Sequence, residues 1–466
     1  MSGEPTGRIR VVVIGGGLAG ISAALACAHA GAEVTLLEAR GRLGGAAYSF
    51  SRGELTVDNG QHVFLRCCTA YRELLEQLDA SALVALQPRL DVAVLAPGGR
   101  TGRLRRSELR APLHLAGALL RYPYLGIRER LSAAWAMQRL AAVDAEDPRN
   151  DARSFGDWLR QHRQHARAID AIWELITRPT LNLTVADASL AQAAQVFQVG
   201  MLSDTSAGDI GWAVAPLGEI HDVAARRALE RTGVDVRMRS TASAITPEIG
   251  ASPDGAYAGI HVSASDGFNV RADAVVLAVP PARAAALLPP QAGVSSGFAE
   301  RLGRSPIVNL HVVYDRRVLE HPFAAGVGTP VQWVFDRTSS SGLAHGQYLA
   351  VSLSAADAEL GAAPEELRDR YLPALADLLP AAREATVLEF FVTREHSATF
   401  RAAPGARASR PPARTAVPGL VLAGAWTNTG WPATMEGAVR SGQTAAAEAL
   451  AALASARRAP RAVVEV

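Results

Sequence analysis

Three glycines, Gly15, Gly17 and Gly20, follow the apolar run Val11–Ile14 in a G-x-G-x-x-G arrangement, with Leu18 and Ala19 between the last two. The chemistry that this spacing serves is phosphate binding. The first glycine permits a tight turn, the second lets a pyrophosphate approach the backbone, and the third lets the next helix lie close on the strand. That helix, read as Ile21–Ala30 with Gly31 at its C-terminal end, aims free N–H groups and a partial positive charge at the phosphates. A second strand, Glu33–Leu37, ends at Glu38, which is placed to accept hydrogen bonds from a ribose. Ala39, Arg40, Arg42 and the pair Gly44-Gly45 extend the site: the arginines reach for phosphate, and the glycines allow a second close backbone approach to a long ligand. A glycine turn alone is a weak signal. Strand, fingerprint, helix, strand and acid in register specify a dinucleotide site.

Two later stretches carry reactive groups in turn-rich settings. Asp58-Asn59-Gly60-Gln61-His62 follows the strand-like Leu55–Val57. Gly60 permits a ring to lie against the backbone, and His62 is of the type that transfers protons near neutral pH. The bland reading is a polar turn closing a strand. Near the C-terminus, Leu420–Ala423 reads as a strand ending at Gly424, followed by a loop from Ala425 to Ala433. Thr434 is then the N-cap of a helix that carries Met435, Glu436 and Ala438 and runs to about Ala454, with a frayed tail beyond. By itself this is a docking helix; beside the N-terminal site, its N-terminus faces the bound cofactor.

The elements that must hold these groups fall into two classes. Residues 230–290 carry strands at Val234–Ser240, continued by Thr241–Ile245, and at Ile260–Ser263 and Ala274–Val279. They complete the nucleotide fold. Residues 91–215 read as mainly helical, whereas 305–400 carry strands at Ile307–Tyr314, Gln332–Phe335, Tyr348–Leu353 and Val387–Thr393 and a helix at Pro364–Leu379. Within the helical part, residues 103–145 interleave Arg103, Arg105, Arg106, Arg110, Arg121, Arg128, Arg130 and Arg139 with leucines, tyrosines and Trp135. That pattern suits either a helix lying in a lipid interface or a helical hairpin with a solvated basic face.

The bulk composition is that of an ordered protein of two or three domains: 466 residues, 49% hydrophobic and 20% charged. A net charge of +2 gives no reason to expect nucleic acid as a partner. The three cysteines, Cys27, Cys67 and Cys68, form no metal-ligand spacing, so no metal is expected. The start has no secretory pattern and no run approaches a membrane span, so a cytoplasmic protein is expected, at most peripheral on the inner face of a membrane. The chain contains no lysine; every one of its 47 Lys-or-Arg residues is arginine.

Glu38 through Gly45 resembles the FAD-binding N-terminus of the flavin amine oxidase and phytoene desaturase superfamily, with Ala46 where that pattern has a third arginine. Val57–Tyr71, Thr427–Gly442 and Arg394–Phe400 with Arg410-Pro411 resemble, more narrowly, the hydroxysqualene dehydroxylase family of bacterial hopanoid synthesis, also called squalene-associated FAD-dependent desaturases. The resemblance implies an α/β fold. A Rossmann-like FAD-binding domain of the amine oxidase type would be formed by residues 1–90, 216–300 and 402–466. A mixed-sheet and helical substrate domain, residues 91–215 and 301–401, would be inserted into it. It implies FAD held by the glycines and arginines above, with Gly60, Gln61 and His62 near the flavin ring. Ala242 would lie against the adenine, and Gly424, Ala425, Thr434, Met435 and Ala438 at the flavin end. Relatives usually carry an acid at the Ala425 position, so weaker FAD retention is expected unless another group serves. Amine oxidation assisted by a lysine beside the flavin is unavailable to a chain without lysine. The implied reaction is reductive, giving squalene and water from hydroxysqualene and reduced FAD, with an electron donor that the sequence does not identify. His62 is the candidate proton donor, with Glu436 and Asp58 as weaker ones. A carotenoid or other isoprenoid desaturase remains the alternative.

Overall fold

The computed structural model describes residues 8–249 and 257–458. Five parallel strands form the nucleotide sheet, in the spatial order Asp235–Met238, Glu33–Glu38, Arg10–Ile14, Ala274–Leu277 and Leu420–Leu422. Val11–Ile14 and Ala274–Leu277 are buried on both faces, which is why they read as unbroken apolar runs rather than alternating ones. One face is covered by two helices, Leu18–His29 and Met435–Arg458, packed on each other. The Ala-rich faces let them approach closely: Ser22 Oγ donates to the Val439 carbonyl at 3.1 Å across the interface. The first and last structural segments of the chain therefore meet at the same sheet.

A second, seven-stranded sheet contains Val387–Thr399, Ser305–Tyr314, Gln347–Ser354, Trp333–Asp336, Phe323–Gly326, Asp91–Ala96 and Arg100–Arg105, in that order. The helix Pro364–Leu378 packs on it through Leu367, Tyr371 and Leu375, all buried. Two expectations need correction here. Residues 91–215 are not helical at their start: Asp91–Ala96 and Arg100–Arg105 form a hairpin joined to this sheet. Alternation in Arg100–Arg105 is masked by arginines on the exposed side, which are held by Asp91. Arg103 and Arg105 thus lie on a strand. Arg106 is buried on Asp209, with its Nε 2.6 Å from Oδ1, so these three are not part of a basic helix. The second correction is at 234–245, read as one continuous strand. It breaks at Arg239, whose φ is 55°, into Asp235–Met238 in the nucleotide sheet and Ala242–Ile249 in a separate three-stranded sheet.

Helices fill the remainder of 113–202, from Ala116–Arg121 and Ile127–Ala141 to Leu190–Phe197. The C-terminal helix runs past Ala454 to Arg458, and residues 459–466 of the expected tail lie outside the described residues. Among the described residues, no helix is long and apolar enough to cross a membrane.

Candidate active site

The fingerprint glycines sit at the carboxyl end of Arg10–Ile14, where an open parallel sheet leaves its binding crevice. The helix begins at Leu18, three residues before the expected Ile21, so Leu18, Ala19 and Gly20 form its first turn. Gly20 has no room for a side chain: a Cβ there would run into the Gly15 carbonyl oxygen. Glu38 ends its strand, buried, with Oε2 accepting from the Gly16 N–H at 2.7 Å and Oε1 from the Arg40 N–H at 2.7 Å. It therefore also braces the two loops that would flank a ribose. The second glycine pair folds back on the first loop: the Gly44 N–H donates to the Gly16 carbonyl at 2.9 Å. Gly45 has φ +60°, and a Cβ on it would lie 2.8 Å from the Gly17 Cα. Any side chain at Gly45 closes the gap between the two loops.

Above this cradle, Arg42 stacks on Tyr48, 3.4 Å from guanidinium carbon to ring centroid, and donates to the Gly45 carbonyl at 3.0 Å. Its Nη2 is buried without a partner. Neither Arg40 nor Arg42 forms an ion pair among the described residues. Burial, then the neighbouring Arg40, lowers the Arg42 pKa. Two neighbouring guanidinium groups without an ion-pair partner, one with an orphaned donor beside two glycine loops and a helix N-terminus, fit a bound pyrophosphate.

The other cofactor-side residues come from distant segments. Ala242 opens its strand two residues after Ser240, whose N–H donates to the Glu38 carbonyl, and its own carbonyl accepts from Arg283 Nη2 at 2.6 Å. Gly424 ends Leu420–Leu422, beside the fingerprint strand's neighbour, and its N–H is held by Ser441 Oγ at 2.8 Å. Thr434 caps the last helix as expected, its Oγ1 accepting from the Gly437 N–H at 3.1 Å; Met435 and Ala438 are in the first turn, half-buried. Ala425 offers no acid, but its carbonyl accepts from Arg410 Nη2 at 3.0 Å. Arg410 also donates to the Thr427 carbonyl and lies over the Phe400 ring. Burial lowers its pKa to about 10. This buried cation, singled out in the sequence only as part of a resemblance, shapes the whole loop from Ala425 to Thr429.

The polar run Asp58–His62 lies where the nucleotide half meets the seven-stranded sheet. Asn59 ties it to the second glycine loop: its Oδ1 accepts from the Tyr48 N–H, and its Nδ2 donates to the carbonyl of Ala46 and to Glu395 Oε1, each at 2.9 Å. Gly60 faces His62 and Asn309; a Cβ there would lie 3.3 Å from His62 Nε2 and 3.8 Å from Asn309 Nδ2. Asn309, fully buried, donates to the Asn59 carbonyl at 3.0 Å, and its Oδ1 has no partner. It was not singled out in the sequence, although a lone amide on the mostly apolar strand Ser305–Tyr314 is a legible oddity. His62, Gln61, Val63, Trp212, Leu217, Phe335 and the Asp58–Arg337 pair line a small cavity of about 10 Å³, room for a single water. Loss of water around the imidazole lowers the His62 pKa; Asp58 and Glu395 oppose this and Arg337 adds to it. A larger cleft of about 630 Å³ shares Trp212 as a wall, but Arg317, Glu320, His321 and Asp336 make it polar.

The two secondary acid candidates are occupied. Asp58 Oδ2 accepts from Arg337 Nη2 at 2.6 Å, and its Oδ1 accepts from Ser49 Oγ and the Leu217 N–H at 2.6 and 3.0 Å. Glu436, 1% exposed, accepts from the Ala70 and Tyr71 N–H groups and from Arg440 Nε. It caps the helix Thr69–Gln77 and holds it to the C-terminal helix, so it positions elements and has no free oxygen for a substrate. Asp58 and His62 both line the small cavity, but the oxygens of Asp58 are taken by Arg337, Ser49 and the Leu217 N–H.

Residues 18–450 match the model of the family described as flavin containing amine oxidoreductase. The hydroxysqualene dehydroxylase of Rhodopseudomonas palustris is 29% identical over 454 residues, 95% of this chain and 98% of the relative. The 15-cis-phytoene desaturase of Solanum lycopersicum is 25% identical over 473 residues, 96% of this chain and 78% of the relative. Putrescine oxidase bound to putrescine superposes with a TM-score of 0.70 at 22% identity, over 96% of this chain and all of that one, which speaks to the fold. With a cradle that fits a dinucleotide and a match along nearly its whole length, the chain belongs to the flavin-containing amine oxidoreductase family and is an FAD-dependent oxidoreductase.

Proposed function

We propose that this enzyme reductively removes the hydroxyl group of hydroxysqualene to give squalene. The observation that carries the reading is the end-to-end similarity to the hydroxysqualene dehydroxylase of Rhodopseudomonas palustris. The absence of lysine argues against lysine-assisted amine oxidation, although the fold is shared with amine oxidases.

When bound and reduced, FAD supplies a hydride to carbon. The remaining tasks fall to the chain's own residues. The substrate hydroxyl is allylic, so the C–O bond breaks to leave a delocalised cation if the departing oxygen takes a proton. His62 gives that proton, and the oxygen leaves as water. One alcohol, one hydride and one proton thus become one hydrocarbon and one water. The pKa of His62 lies below its ordinary value, so the imidazole is mostly neutral at pH 7 and turnover should rise as the pH falls. Trp212, Phe335 and Leu217 supply apolar walls beside His62. Asn309 holds the Asn59–Gly60 turn through the Asn59 carbonyl, and the missing side chain at Gly60 leaves room for the His62 ring.

A desaturase acting on a carotenoid precursor is the second reading, favoured by the 25% identity to phytoene desaturase. The two readings separate in paired assays: hydroxysqualene with chemically reduced enzyme, and phytoene with oxidised enzyme and a quinone acceptor. Squalene from the first and no product from the second is the expected pattern; the reverse would replace the proposal with the desaturase. His62→Ala should keep its FAD and lose roughly a hundredfold or more in turnover. Turnover near the wild-type rate would remove His62 from the role.

A further inference from the structure

Six of the nine large hydrophobic side chains that stand exposed among the described residues fall in one short stretch: Leu109, Leu113, Leu120, Ile127, Leu131 and Trp135. The helix Ile127–Ala141 shows why this is unusual. Its inward face is complete without them, formed by the buried Ala133, Ala136 and Leu140. Ile127, Leu131 and Trp135 recur every four residues on the opposite side, so they make a second apolar stripe that faces outward. Leu120 ends the preceding short helix beside it, where Arg130 Nε holds the Leu125 carbonyl in the turn at 2.9 Å.

The unpaired charges on the two helices that carry the stripe, Ala116–Arg121 and Ile127–Ala141, are all positive. Arg110, Arg121, Arg128 and Arg139 are exposed and form no ion pair among the described residues. The nearby acids are engaged elsewhere: Glu108 with Arg106, and Glu129 with the Gly126 N–H and Arg167. We propose that this face docks on a lipid bilayer carrying anionic headgroups. Aliphatic side chains and a tryptophan would sit below the headgroups, with the arginines at headgroup level. A second copy of the chain is a poor occupant, because the contact would set the same unneutralised arginines against each other.

The docked face is linked by short steps to the loop that follows Gly424. Behind the helix, Gln198 Nε2 bonds the carbonyls of Leu140 and Val143 at 3.0 and 2.7 Å. The adjoining helix Leu190–Phe197 carries Gln195, whose Nε2 bonds the Gly430 carbonyl in the loop that follows Gly424. One helical layer therefore separates the bilayer from that loop. The inference stands on surface residues alone and holds whatever the substrate.

The test is co-sedimentation of FAD-loaded protein with vesicles of phosphatidylcholine, with and without phosphatidylglycerol. The full chain should sediment with the anionic vesicles and be released by salt. Ile127→Ser/Leu131→Ser should weaken partitioning at least tenfold. Arg121→Gln and Arg128→Gln should each weaken it about fivefold. FAD content and melting temperature should be unchanged in all of these variants. Wild-type protein remaining in the supernatant, or serine variants that sediment as well as wild type, would overturn the proposal. So would self-association that the serine variant abolishes, since that assigns the face to a second copy.

Discussion

Replacing the two members of the Asp58–Arg337 pair one at a time should have like effects on stability and opposite effects on His62. The pair is 2.6 Å apart, with side chains 5% and 9% exposed, and it joins the strand Leu55–Asp58 to the end of Trp333–Asp336. Removing either partner leaves a buried charge without compensation, which costs about 3–5 kcal/mol. Asp58→Asn and Arg337→Met should therefore both melt well below wild type. The double variant should lose much less than the sum. For His62 the signs diverge, because Arg337 lowers its pKa and Asp58 raises it. Arg337→Met should thus move the His62 titration up, and Asp58→Asn should move it down. The assay is the pH dependence of single-turnover flavin reoxidation, in which the alkaline limb marks loss of the His62 proton. A limb that moves the same way in both variants, or in neither, would refute the electrostatic account of this site.

Three other consequences can be measured directly. Glu436→Gln should retain turnover within a few-fold while losing roughly 1–3 kcal/mol of stability, because it weakens the cap on Thr69–Gln77 and the bond to Arg440; a large loss of turnover in well-folded, FAD-loaded protein would restore Glu436 as a catalytic group. Gly45→Ala should abolish stoichiometric FAD in purified protein, since the added methyl meets Gly17 at 2.8 Å in a backbone conformation with φ +60°; normal flavin absorbance would show that the two loops do not clasp the pyrophosphate. Burial lowers the pKa of His221 to about 4 and of His311 to about 3, so both are neutral in the folded chain. Unfolded chains take up these protons first as the pH falls below about 6.5, so stability is full above that value. It should then fall by about 1.4 kcal/mol per pH unit for each histidine, down to the folded pKa. Chemical denaturation between pH 7 and 4 should show that slope, reduced by one proton in His221→Gln.

What the sequence made legible was local. The fingerprint Gly15–Gly20, the acid Glu38 and the second glycine pair are short-range patterns whose geometry follows from backbone chemistry, and the structure brings them together; Thr434 caps its helix as its type predicts. What escaped was tertiary. Whether a carboxylate is free depends on partners hundreds of residues away, which is why Asp58 and Glu436 read as acids and prove to be occupied by Arg337 and by a helix end. Asn309 was missed because its neighbours, Asn59 and Gly60, come from a different segment. Arg100–Arg105 was hidden because its exposed arginines resemble a basic helix until Asp91 is seen across the hairpin. Ala425 departs from the superfamily's pattern, and Arg410 supplies the anchoring of that loop through backbone carbonyls. Stoichiometric FAD surviving dialysis would show that this anchoring suffices; flavin lost on dialysis would show that the missing acid matters.

The most direct test of the central claim is anaerobic mixing of pre-reduced enzyme with hydroxysqualene in detergent, following flavin absorbance and identifying the lipid. The account predicts reoxidation of the flavin with one squalene formed per flavin. Flavin that stays reduced in protein holding its full complement of FAD, with hydroxysqualene recovered unchanged, would contradict it.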